Sequence, residues 1–143
     1  VYMFNSDGTK YTAYQVVNGE GKFTKVFNLN QWGNDNTVPF TAVGAAMDAS
    51  VGGRELVCMF NMEGTEYTIY EPLTFTEPRS IKDFQIKTNA DPVELPFDKI
   101  GAAMRVDLKG QEDRTVLALF DGPGTRYIFF DADENEVIGP FNM

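Results

Sequence analysis

The chain has 143 residues, of which 43% are hydrophobic, and its 12 basic and 21 acidic side chains give a net charge of −9. It has no histidine and only one cysteine, which excludes an imidazole-based catalytic site, a histidine-ligated metal and an internal disulfide. The negative charge repels phosphate backbones and no apolar run reaches about 18 residues, so we expect neither a nucleic-acid partner nor membrane insertion.

The first segment, residues 1–38, opens with a pattern that the chain later repeats. Met3-Phe4-Asn5 leads into Asp7-Gly8-Thr9, and an aromatic run begins at Tyr11. Short apolar and aromatic runs on either side of a turn glycine predict a β-hairpin. A further strand is predicted over residues 22–27.

The second segment, residues 39–95, places a new unit before the same hairpin pattern. Pro39-Phe40 leads to Gly44-Ala45-Ala46-Met47, and the counterpart of Phe4 is Phe60, 56 residues later. The small Gly-Ala-Ala side chains predict an innermost strand, at which neighbouring units converge. Residues 79–84 follow Pro78 and are predicted to form a short helical turn, because proline is favourable at a helix start.

The third segment, residues 96–143, repeats both units. Gly101-Ala102-Ala103-Met104 lies 57 residues after its counterpart, and Phe120 lies 60 residues after Phe60. Two independent markers with nearly the same spacing indicate internal repeats. The chain then holds about two and a half units, because the first unit lacks its Gly-Ala-Ala-Met strand and the third is truncated at its C-terminal end. We predict an all-β fold of β-propeller blades.

The repeat resembles the hemopexin-like repeat, in which a strand with an Ala-Ala pair precedes aromatic strands and a Gly-Pro turn. The residues that carry the resemblance are Val43–Met47, Met59-Phe60, Tyr67–Tyr70, Ile100–Met104, Tyr127–Phe130 and Gly139-Pro140. The spacing is most similar to that of the plant seed albumin branch. The resemblance implies a four-bladed β-propeller, so the chain is either a fragment, an open array completed by another chain, or a self-contained β-fold of another kind.

The resemblance also implies an ion site in the channel at the centre of the propeller. Backbone carbonyls of the innermost strands hold Ca²⁺ or Na⁺ there, and by position these are the carbonyls of Gly44 and Gly101. The family's aspartate is replaced by glycine at both positions, and the alternative is that Gly-Ala-Ala serves only close packing. No cofactor is required, and haem is not expected because the chain has no histidine.

Two further candidates come from the residues themselves. Asp131, Asp133 and Asn135 place oxygen-bearing side chains at alternate positions, as a calcium loop does, but Glu136 stands where such a loop has glycine. A solvated turn is the alternative. Cys58 lies in an apolar strand pattern, which predicts a buried and unreactive thiol.

These observations favour a non-enzymatic protein. The expected function is that of a structural or protein-interaction module that associates with copies of itself through open blade edges, into a filament or a ring. The alternative is a binding or storage protein of seed-albumin type for a small ligand or metal ion. The acidic, lysine-poor composition predicts an extracellular or cell-surface location.

Overall fold

A computed structural model describes residues 2–33, 36–71, 73–111 and 114–143 of the chain. These residues form three antiparallel β-sheets and two 3-10 turns, and no α-helix occurs in the described ranges. The prediction of an all-β fold is therefore confirmed. None of the three sheets closes into a barrel.

The sheets follow one another along the chain. Sheet 1 consists of β1 (Tyr2–Phe4), β2 (Lys10–Val17), β3 (Glu20–Phe23) and β4 (Phe27–Asn28). Sheet 2 consists of β5 (Val43–Val51), β6 (Arg54–Asn61), β7 (Glu66–Glu71), β8 (Thr74–Phe75) and β9 (Arg79–Ser80). Sheet 3 consists of β10 (Ile100–Val106), β11 (Val116–Asp121), β12 (Arg126–Asp131) and β13 (Glu136–Asn142).

Each sheet contains the predicted hairpin, and the three hairpins share one register. The phenylalanine before the turn lies opposite the first tyrosine after it, in the pairs Phe4–Tyr11, Phe60–Tyr67 and Phe120–Tyr127. A common register places equivalent residues on the same face of each sheet, because side chains alternate between the two faces of a strand.

The Gly-Ala-Ala-Met segments form edge strands. β5 is the first strand of sheet 2, β10 is the first strand of sheet 3, and the two lie against each other. Arg105 of β10 reaches Asp48 of β5 at 3.8 Å. Among the described residues sheet 1 has no such strand, so β1 forms its edge and pairs only with β2.

Sheet 2 packs against its neighbours on both faces. The core between sheets 1 and 2 includes Tyr11, Trp32, Val43 and Met59, all of them buried. The core between sheets 2 and 3 includes Phe60, Tyr67, Phe84, Leu119 and Phe130, which are also buried. We call the face of a sheet that contacts the following sheet its leading face, and the face that contacts the preceding sheet its trailing face.

The predicted helical turn is shorter than expected. Arg79 and Ser80 continue the sheet as β9, and the 3-10 turn spans Ile81–Asp83. The turn begins at this point because the Ser80 hydroxyl oxygen accepts the backbone N–H of Lys82 at 3.1 Å.

Candidate functional site: the joints between the sheets

A side-chain cap holds each repeated hairpin turn. The Asn61 Oδ1 atom accepts the backbone N–H groups of Thr65, at 2.9 Å, and Glu66, at 3.1 Å. The Gly64 N–H donates to the carbonyl of Asn61 at 3.0 Å. These bonds satisfy three N–H donors of the turn, and none of them uses the Gly64 carbonyl as an acceptor.

Asp121 holds the corresponding turn of sheet 3. Its Oδ1 atom accepts the N–H groups of Thr125, at 2.8 Å, and Arg126, at 3.1 Å. Burial acts to raise the pKa of Asp121, but these backbone donors and the Arg126 side chain outweigh it and lower the pKa below its ordinary value of 3.8. The carboxylate thus does in sheet 3 what the amide of Asn61 does in sheet 2.

The turn glycine of one sheet receives the first strand of the next. Ile100 of β10 donates its N–H to the carbonyl of Gly64 at 2.8 Å, and Val43 of β5 donates its N–H to the carbonyl of Gly8 at the same distance. A Cβ atom on either glycine would overlap the backbone carbonyl of the incoming strand. We call this contact the joint, and it requires glycine both for space and for the positive φ of the turn.

The third turn has the same shape but receives no strand from the described residues. Gly124 has φ +73°, against +75° at Gly64, and a Cβ atom on it would meet no described atom within 4 Å. Its N–H donates to the carbonyl of Asp121 at 3.0 Å, as in the other turns. The acceptor half of a third joint is therefore formed, and no segment in the described ranges fills it.

The leading face of sheet 3 beside this turn is apolar and partly exposed. Tyr127 lies between the rings of Phe129 and Phe141, with centroid distances of 5.6 and 5.4 Å. Met104 is 53% exposed and Phe141 is 40% exposed. Contiguous exposed apolar side chains of this kind are typical of interaction surfaces.

The trailing face of sheet 1, at the other end of the molecule, is also apolar. Tyr14 and Phe23 lie opposite each other on β2 and β3, with ring centroids 5.1 Å apart. Phe23 is 60% exposed and Met3 is 51% exposed. In the part of the chain that the structure describes, β1 pairs only with β2, so its other edge can bind an additional strand.

The two predicted ion-binding glycines line a single open cleft. Gly44 and Gly101 border a volume of about 520 Å³ together with Glu63 and Lys99, among other residues. Each glycine lies at a break in the register of its edge strand. The structure therefore brings the two predicted residues together.

Close packing explains why both positions are glycine. A Cβ atom on Gly44 would lie 2.8 Å from the carbonyl oxygen of Asn61, and one on Gly101 would lie 2.6 Å from that of Asp121. Within the described ranges, no cluster of three or more Asp, Glu, Cys or His side chains could hold a metal ion. Ca²⁺ or Na⁺ binding by the backbone carbonyls stays a prediction.

The acidic segment at Asp131 forms a turn held by its own hydrogen bonds. The Asp131 Oδ1 atom accepts the N–H groups of Asp133 and Glu134, each at 3.1 Å, and its other oxygen pairs with Arg114. Burial acts to raise the pKa of Asp131, but the Glu134 N–H and the Arg114 guanidinium outweigh it and lower the pKa. The carboxylate is thus engaged within the chain.

Cys58 lies in β6 and is completely buried. Burial raises the pKa of its thiol far above the ordinary value. The thiol is therefore neutral and enclosed in the core between sheets 2 and 3.

The chain matches no protein-family model. No curated protein matches it either. Within the described residues, no helix has the length and apolarity needed to cross a membrane.

Sequence reasoning identified the turn glycines but missed the joint that they form. The turn glycines of the three predicted hairpins are Gly8, Gly64 and Gly124, and all three adopt positive φ. That their carbonyls accept the next strand was not predicted. The available signal was the β-branched residue, Val43 or Ile100, directly before each Gly-Ala-Ala sequence.

Proposed function

We propose that the chain is a non-enzymatic interaction module whose sheets are successive blades of a propeller-like array, and that it associates with copies of itself through its open ends. Two joints of the same design connect its three sheets. The observation that carries the proposal is the third turn, at Gly124, which offers the same acceptor with no strand bound to it among the described residues.

The two exposed apolar faces, one on sheet 3 and one on sheet 1, are of the two kinds that pack against each other between neighbouring sheets. Sheet 3 offers a leading face and sheet 1 offers a trailing face, and these are the two kinds of face that meet inside the molecule. Copies joined in this way contact one another head to tail. Such an interface produces a ring if the rotation closes and a filament if it does not.

The energetics of this association combine apolar attraction and charge repulsion. Burial of side chains such as Met104, Phe141 and Phe23 stabilises the contact by about 25 cal/mol per Å² of apolar surface. The net charge of −9 on each copy opposes it. We therefore expect added salt to strengthen the association.

Analytical ultracentrifugation of the purified chain over a range of concentrations, with and without added salt, tests the proposal. We expect oligomers larger than the 16.0 kDa monomer that grow with concentration. In the variant Phe141→Glu a charge on the exposed leading face of sheet 3 would oppose its burial against a second copy, so the association should weaken at least tenfold.

Met62→Glu is the matched control. Met62 is 40% exposed, as Phe141 is, but it lies in the β6–β7 turn of sheet 2. This variant should associate like the original chain. A chain that stays monomeric at every concentration and salt level, or equal association of the two variants, would overturn the proposal.

Cation binding in the cleft between Gly44 and Gly101 is a second candidate function. It is favoured by the convergence of the two predicted residues on one cleft, which Glu63 also lines. Thermal unfolding with Ca²⁺, Na⁺ or spermine tests it, and Glu63→Gln is the comparison variant. A rise in melting temperature that Glu63→Gln diminishes would support binding in this cleft, and the absence of any rise would remove this candidate.

A further inference from the structure

We propose that the cleft between sheets 1 and 2 binds the ring of a neutral sugar. The cleft has a volume of about 280 Å³, and the residues that line it come from both sheets and from the segment after β4. It lies between two sheets that pack against each other, so the proposal is independent of the self-association proposed above.

The cleft lies beside a small side chain, at a place where the next sheet has a large one. Tyr11 and Tyr67 hold the same place in the hairpins of sheets 1 and 2, so Ala13 of β2 corresponds to Ile69 of β7. Ile69 is buried in the core between sheets 2 and 3. Ala13 instead lines the cleft, because its methyl group is too small to fill the space that an isoleucine side chain fills.

Aromatic rings form the floor and the walls of the cleft. Trp32 is buried, and its ring contacts Tyr2 and Tyr11, at centroid distances of 4.5 and 4.7 Å, and Tyr70, at 6.0 Å. Tyr2 is 47% exposed, so part of its ring is accessible to a ligand. Rings of this kind offer an apolar surface against which the C–H groups on the face of a sugar ring can pack.

Two glutamine side chains supply hydrogen-bonding groups at the cleft. The Gln31 Oε1 atom accepts the backbone N–H of Asn28 at 3.0 Å, which holds this side chain in place. Its amide N–H groups donate to no other described residue, and the exposed amide of Gln15 has no partner in the described ranges. An amide has both donors and an acceptor, and a sugar hydroxyl can bond to either.

The lining of the cleft is uncharged. Among the described residues that line it there is no Asp, Glu, Lys or Arg. A charged ligand would lose its hydration there without gaining a counter-charge, and a wholly apolar ligand would leave the amides without their water partners. A sugar ring has apolar C–H faces and neutral hydroxyl groups, so it matches both the aromatic walls and the amides.

Titration with simple glycosides tests the proposal. Trp32 is the single tryptophan of the chain and lines the cleft, so its fluorescence reports on occupancy. Methyl glycosides of a hexose, a pentose and an N-acetylhexosamine are added separately, at protein concentrations at which the chain is monomeric. We expect a saturable fluorescence change with at least one of them, and saturation-transfer NMR should show the strongest transfer to its ring C–H protons.

Two results of this titration would contradict the proposal. One is the absence of a saturable response to any of the glycosides. The other is a saturable response to tetramethylammonium alone, which would assign the aromatic walls to an organic cation, because the faces of aromatic rings attract cations.

Ala13→Ile tests whether the sugar binds in this cleft. The variant introduces the side chain that sheet 2 has at the same place, so it should keep the fold, fill the cleft and remove the saturable response. Val16→Ile is the matched control, because Val16 lies on the opposite face of β2 and is 69% exposed. It should bind like the original chain, and equal binding by the two variants would overturn the proposal.

Gln15→Leu is a second test, which does not depend on filling the cleft. Because Gln15 is exposed, the substitution should leave the melting temperature unchanged. The affinity for the glycoside should fall about tenfold, since a sugar hydroxyl loses its partner. A Gln15→Leu variant that binds the glycoside as tightly as the original chain would contradict the proposed contact and the assignment of the cleft.

Discussion

Sheets 2 and 3 have the same hairpin register and differ in what covers their leading faces. Met47 of sheet 2 is 5% exposed, whereas its counterpart in sheet 3, Met104, is 53% exposed. Phe60 is completely buried, whereas its counterpart Phe120 is half-buried. The strand pattern thus determines which face is apolar, and the presence of a neighbouring sheet determines whether that face is buried.

The turn glycines of the two sheets also differ in whether a neighbouring strand contacts them. The joint at Gly64 is filled by Ile100, and the equivalent place at Gly124 is open among the described residues. The local structure of the two hairpins is the same. Equivalent substitutions in the two sheets therefore measure how much the neighbouring sheet contributes to the free energy of unfolding. Four such comparisons follow, all made by denaturant or thermal unfolding at concentrations at which the chain is monomeric.

The largest difference is expected for the paired phenylalanines. Phe60→Ala should destabilise the fold by about 4 kcal/mol, because it leaves a cavity in a closed core, and Phe120→Ala by about 1 kcal/mol. Urea unfolding of both variants measures this difference. Equal losses of stability would mean that the leading face of sheet 3 is as well packed as that of sheet 2.

The cost of replacing the turn glycine by alanine should differ between the two sheets nearly as much. Gly64→Ala introduces a methyl group that overlaps the carbonyl of Ile100, and we expect it to destabilise the fold by about 3 kcal/mol. Gly124→Ala should destabilise the fold by only about 1 kcal/mol, because the new methyl group overlaps no described atom and the cost is the strain of a left-handed backbone. Urea unfolding distinguishes the two, and a similar cost at both glycines would argue against the joint as a structural contact.

A smaller difference is expected for the tyrosine hydroxyls. Tyr67→Phe leaves the Gln85 N–H and the Asp83 carbonyl without their partner in a partly buried region, which should cost about 2 kcal/mol. Tyr127→Phe should change the stability by less than about 0.5 kcal/mol. Thermal unfolding of the two variants checks this, and a large loss from Tyr127→Phe would indicate a hydroxyl partner within the chain.

The smallest effect concerns the two hairpin caps, the Asn61 amide and the Asp121 carboxylate. Because folding lowers the pKa of Asp121, its stabilising contribution is complete above the ordinary value of 3.8 and is lost as the pH falls through the folded-state pKa. Asp121→Asn keeps an oxygen to accept the two turn N–H groups but does not titrate. Its melting temperature should therefore fall less steeply than that of the original chain between about pH 5 and about pH 2.

Asn61→Asp is the converse control for this last comparison. It places a titrating carboxylate in the turn of sheet 2 and should make acid unfolding steeper, because the same backbone N–H groups would favour the charged form. If neither substitution changes how the melting temperature falls with pH, the pH dependence arises from other carboxylates, such as Asp131.

Much of the fold could be predicted from local patterns. The glycines at positions 8, 64 and 124 permit the left-handed backbone that a tight turn needs, and the apolar and aromatic runs beside them favour strands, so the hairpins followed directly. The length of the 3-10 turn did not follow, because the capping bond from Lys82 to Ser80 and the pairing of Arg79 with β7 decide it. The joints were missed because they depend on which carbonyl a distant strand reaches.

The sequence alone determined the repeats, the all-β class and the turn positions that favour glycine, because these follow from residue spacing and from backbone sterics. Only the tertiary structure decided that Gly44 and Gly101 line one cleft, that sheet 2 is covered on both faces, and that no described strand fills the joint at Gly124. The physical reason is that periodicity specifies the faces of a strand, whereas burial and joint formation depend on contacts between segments far apart in the chain.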